Sequence, residues 1–115
     1  MSALTKSILS HVQHKLDSAD PTLVARISPF TIQSIRNYIL LGIPPSWSLE
    51  KILENDLAGA VSNADKDNSA ALADIVRYLM QSCPSRAVLH QGAVREWLQM
   101  HRERKAEAAE KAVGV

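Results

Sequence analysis

Apolar residues recur along this chain mostly at three- and four-residue spacings, the period of helices that bury one face. Leu4, Ile8, Val12 and Leu16 repeat every fourth residue, predicting a first helix over 2–16 that ends before Pro21. Leu23, Val24 and Ile27 suggest one further turn. Ser28-Pro29 reads as an N-cap and first helical residue, with Ile27 and Ile32 placed as a hydrophobic staple. Ile32, Ile35 and Ile39 then share a face, while Phe30 and Leu41 point the other way, so this helix is expected to meet core on two sides. Gly42 stops it, and Pro44-Pro45 prevent its continuation.

The next pattern, Leu49, Ile52, Leu53, Leu57, Ala60, Val61 and Ala64, forms one broad face if read as a single helix. That reading buries the Asp56 carboxylate in the apolar stripe, which is costly without a partner. A break at Asn55-Asp56, with Asp56 capping a second short helix over 57–65, removes the conflict. Ser48 is expected to cap the first of the two, with Trp47 and Ile52 as its staple. After a turn at 65–68, capped by Asp67 or Asn68, Leu72, Ile75, Val76, Leu79 and Cys83 make a stripe that Pro84 ends. Gly92 opens the last helix, whose apolar face is Val94, Trp97, Leu98 and His101. Beyond it, RERKAEAAEKAVGV has strong helix formers but no buried face.

These elements predict an all-α fold, a compact bundle of five or six short helices with a charged C-terminal helical extension. Residues 1–20 form an N-terminal helix that either packs on the domain or stands off as an arm. Residues 21–101 form the core, and 102–115 a solvated tail. At 115 residues a single domain is expected. The 4% aromatic content leaves the core to aliphatic side chains, which favours helix packing over a β-sandwich. A formal charge of +1 gives no general field for nucleic acid. One cysteine excludes an internal disulfide. No apolar run approaches the length of a membrane span, and the N-terminal pattern is not that of a signal peptide. A cytoplasmic protein of a bacterial host cell is the expectation, with no cofactor and no metal.

The candidate chemistry is sparse. His11 and His14 sit three apart, but no C-x-x-C or H-E-x-x-H pattern supports a metal site. Cys83 lies mid-stripe, where a thiol behaves as a small hydrophobe. Residues 65–76 fail as a calcium loop, with Ala70 where glycine is needed and Val76 where glutamate is needed. Asp56 is a cap or, uncapped, a contact for a partner's arginine. Trp47 is a staple or, beside two prolines, an exposed anchor for a partner protein. Arg86, Arg95, Arg102, Arg104 and Lys105 gather cations near the C-terminus, interleaved with Glu96, Glu103, Glu107 and Glu110.

Gly42-Ile43-Pro44-Pro45, Leu49, Leu53-Glu54-Asn55-Asp56-Leu57, Ala60, Ala64-Asp65, Asn68, and Ile75-Val76-Arg77-Tyr78-Leu79 with Pro84 carry a resemblance. Over about residues 35–98 the chain resembles small accessory proteins of tailed bacteriophages and prophages, with Trp97 matching a tryptophan near their end. It departs at Ser85–His90, where Arg86-Ala87-Val88 stands in place of a Trp-Gly pair. The resemblance implies a phage origin and carries no activity or site with it. The expectation is a non-enzymatic protein that binds and occludes a host macromolecule, interfering with a host process or defence. Trp47, Tyr38, Arg95 and Arg102 are the expected contact residues, and a host protein the expected partner. Two alternatives are a small DNA-binding regulator using the C-terminal basic helix, and a sponge that sequesters a nucleotide signal between helices or across a homo-oligomer interface.

Overall fold

The computed structural model describes residues 4–63 and 71–113, and among these it is all helix and turn, with seven α-helices and no strand. The expected cap at Asp67 or Asn68 lies outside the described residues. Helix α1 (Lys6–Asp17) starts at Thr5, whose hydroxyl accepts from the Ile8 amide at 3.1 Å. The turn predicted after it is α2 (Pro21–Ala25), capped by the Asp20 carboxylate on the Thr22 amide. Helix α1 is docked rather than free: Leu4, Val12 and Leu16 are buried in the common core, and Arg36 reaches the Asp17 carboxylate at 2.7 Å. The boundary drawn at residue 20 therefore divides one core.

Helix α3 (Pro29–Arg36) passes without a break into a π-helical turn (Asn37–Leu41), which Gly42 closes in the left-handed conformation at φ 68°. Contrary to the two-sided expectation, Phe30 is 87% exposed and Leu41 is also exposed, and the buried face is Thr31, Ile35, Tyr38 and Ile39. Helix α4 (Trp47–Leu53) follows the prolines, and α5 (Leu57–Asn63) begins where Asn55 takes φ 60°. The break inferred from Asp56 is present: its carboxylate accepts from the Gly59 amide at 2.9 Å, three residues on. Helix α6 (Leu72–Ser82) ends at Cys83, and a 3₁₀ turn (Ser85–Ala87) leads to α7 (Ala93–Val113). Burial pushes the Cys83 thiol up to about 12, so it remains protonated and packs as core.

Two devices lock α7 to the rest. The last carbonyls of a helix lack partners within it. Here Trp97 Nε1 and His101 Nε2 both reach the Ile39 carbonyl, at 3.1 and 2.9 Å, and Lys105 Nζ donates to the Leu41 carbonyl at 2.9 Å. These three donors are spaced by four and so lie along one face of α7. At its other end, the Glu54 carboxylate of the α4 C-terminus accepts from the Gly92 and Val94 amides, each at 2.9 Å. It caps the positive end of a helix 38–40 residues away in sequence. The anchored part of α7 thus runs to Lys105, four residues past the expected tail boundary, and the helix continues unbroken to Val113.

Candidate functional site

The sequence and the structure agree on one exposed corner. Ser46, in extended conformation after the two prolines, caps α4 by accepting from the Leu49 amide at 3.3 Å. Trp47 is therefore the first residue of the helix and not a residue before it, which corrects the expected Ser48 cap and the Trp47–Ile52 staple. Both registers put Leu49, Ile52 and Leu53 on the same buried face, so the apolar pattern does not choose between them. The consequence falls on Trp47, whose side chain is directed outward and 63% exposed.

The indole is nevertheless held. Lys51, one turn along, places its ammonium 4.3 Å from the ring centroid, a cation–π contact. The same ammonium stands 3.9 Å from the Asp56 carboxylate, whose other oxygen caps α5. Asp56 is thus the cap of the two readings, and its carboxylate also lies at the surface. Trp47, Glu50, Lys51, Glu54, Asn55, Asp56 and Gln91 line a groove of about 550 Å³. Sharing Asn55 and Asp56 with it is an apolar trough of about 310 Å³ lined by Ile52, Ala60, Leu72, Val76, Met80 and Leu89. Met80 is 68% exposed.

Tyr38 is not part of any surface. It is 0% exposed, and its hydroxyl donates to the Ala87 carbonyl at 2.8 Å with the Ala93 carbonyl at 3.3 Å. Burial and the nearby Glu54 carboxylate push its ionisation well above the ordinary tyrosine range. Its expected role as a contact residue is therefore replaced by a structural one, joining the π-helical turn to the start of α7. Arg95 and Arg102 lie seven residues apart on α7, hence on one face, and both are exposed. Neither lines the Trp47 groove. Arg102 is also engaged locally, donating twice to Gln99 Oε1 at 2.8 and 3.1 Å.

Lys51, Glu50 and Met80 were not among the expected contact residues. Lys51 is legible once Trp47 is placed inside the helix, since residues four apart are neighbours. Met80 sits at the edge of the α6 stripe, where position alone leaves burial open. His11 and His14 are both exposed on α1, and no group of three or more metal-ligating side chains occurs among the described residues. No helix among them is long and apolar enough to cross a membrane.

Comparison with protein-family models, with curated proteins and with solved structures gives no match for this chain.

Proposed function

We propose that this chain is a non-enzymatic accessory protein of a phage or prophage that binds a host protein and occludes its working site through the Trp47 face. The observation that carries this reading is the indole itself. A large aromatic side chain is displayed to solvent, its ring in contact with the Lys51 ammonium and its backbone set by the Ser46 cap. Pre-ordered aromatics of this kind are the residues that dominate protein–protein binding energy, because little rotamer freedom is lost on association. The surroundings indicate the chemistry of the partner. Glu50 and Asp56 offer carboxylates on the groove, and the adjoining trough offers apolar surface. A partner segment that presents a cation beside an aliphatic or aromatic side chain complements both.

Local pairing supports a protein partner over a nucleic acid. Arg77 is spent on Asp74 at 3.1 Å, Arg86 on Glu96 at 3.6 Å, and Arg102 on Gln99. Arg77 and Arg86 are thereby partly neutralised and Arg102, still charged, is held by the Gln99 amide, so duplex binding with a steep salt dependence is not expected.

Affinity capture from a bacterial lysate tests the reading. The wild-type chain is expected to enrich a specific protein that Trp47→Ala fails to retain. Truncating a central tryptophan anchor weakens binding by about thirtyfold, the equivalent of ~2 kcal/mol. Equal retention by both chains, or no enriched protein, contradicts the proposal.

A further inference from the structure

The contact between α7 and the π-helical turn contains a group the docking face does not use. His101 is 1% exposed, and its ring lies against Gly42 and edge-on to Trp97, with centroids 5.5 Å apart. Its Nε2 stands 2.9 Å from the Ile39 carbonyl. A carbonyl only accepts, so Nε2 carries the proton of the neutral ring and Nδ1 carries a lone pair. Nδ1 is buried and has no hydrogen-bond partner among the described residues.

We infer that His101 is an acid-sensitive latch: protonation at Nδ1 undocks the α7 segment from His101 onward from the π-helical turn.

The geometry accepts only the neutral ring. A proton added at Nδ1 creates a second N–H donor where no acceptor stands, and a cation in a site closed to water. The charged groups that act on the ring make this worse. Arg104 and Lys105, on the same helix, are both cations, and Lys105 is fixed to the Leu41 carbonyl. The π-helical turn offers one titratable group, the Tyr38 hydroxyl, which is turned to the Ala87 and Ala93 carbonyls, and its Asn37 amide oxygen is taken by Gln33. Of the α4 carboxylates, Glu54 is held by Gly92 and Val94, and Glu50 faces the Trp47 groove. Among the described residues, no acidic side chain is among the groups that act on the ring. Consistently, burial, followed by Arg104 and Lys105, lowers the His101 pKa below 6.5, with the Ile39 hydrogen bond opposing. The sign follows from linkage. With the folded-state value below the unfolded one, the latch is at full strength above about pH 6.5 and is lost as pH falls toward the folded value. Undocking takes His101 off the Ile39 carbonyl and Lys105 off the Leu41 carbonyl together, while Trp97, which precedes the segment, still holds Ile39.

The test is an NMR titration of the full chain from pH 7.5 to 4.5. Long-range ¹H–¹⁵N spectra are expected to show the Nε2–H tautomer of His101 at pH 7.5. As pH falls, the Trp97 indole N–H and the amides of 39–42 and 101–110 are expected to shift with one common midpoint below 6.5. Hydrogen exchange of 101–110, corrected for intrinsic rates, is expected to rise at least about tenfold over the same range. His101→Gln, whose side-chain amide donates to Ile39 without titrating, is expected to abolish that transition. An Nδ1–H tautomer at pH 7.5 in the wild type overturns the inference without reference to any variant. So does an unchanged transition in His101→Gln, or a His101 midpoint at or above 6.5.

Discussion

Gly42→Ala is expected to destabilise the fold by ~2–5 kcal/mol, a large part of what a domain this size has in hand. Two independent effects add. Gly42 adopts φ 68°, a conformation that disfavours any residue with a Cβ by about 1–2 kcal/mol. A Cβ at this position also falls 2.6 Å from both Cβ and Cγ of His101, so α7 must retreat from the π-helical turn. Overpacking of that kind adds about 1–3 kcal/mol. Gly92 provides the control within the same protein. Its φ is 86°, yet nothing lies within 4 Å of where its Cβ would be. Gly92→Ala should therefore show the conformational effect alone, about 1–2 kcal/mol. Urea unfolding of the two variants separates the terms, and equal midpoints would show that the close approach of His101 to Gly42 is absent.

Glu54→Ala is expected to rank second, at ~2–3 kcal/mol. The carboxylate makes two charge-assisted hydrogen bonds to the first amides of α7, each of a kind worth roughly 1.5–3 kcal/mol, and its partly buried setting leaves water to recover some of that loss. It also places negative charge at the positive end of a long helix. Glu54→Gln should lose nearly as much, because its amide offers one acceptor oxygen where two donors point. Urea unfolding gives the magnitude, and faster exchange of the Gly92 and Val94 amides assigns it to the cap. A loss below about 0.5 kcal/mol for Glu54→Ala would mean that solvent replaces the carboxylate at no penalty.

These two residues also show which parts of the molecule its sequence discloses. Gly42 was legible as a stop because the requirement is local: a helix end followed by two prolines. The break at Asn55-Asp56 was legible for a similar reason, since a carboxylate in an apolar stripe has to be explained within a few residues. Glu54 was not legible as a cap, because its partners are on a helix 38–40 residues further on. The π-helical turn has the same character. Nothing in Asn37–Leu41 specifies it, and the donors to its Ile39 and Leu41 carbonyls come from Trp97, His101 and Lys105. With that turn unseen, Tyr38 read as a surface residue, although it is among the most buried in the chain. Of the expected contact residues, Trp47 is the one displayed beside a groove, and its exposure depends on a cap choice between Ser46 and Ser48 that leaves the apolar pattern unchanged.

The proposed docking role rests on Trp47 being covered when a partner binds. With 5-fluorotryptophan incorporated, ¹⁹F NMR reports the two indoles separately, Trp47 in solvent and Trp97 at 1% exposure in the core. On titration with the captured partner, the Trp47 resonance is expected to move or broaden to saturation while that of Trp97 stays in place. A complex that forms with the Trp47 resonance unchanged would contradict the assignment of this face as the binding surface.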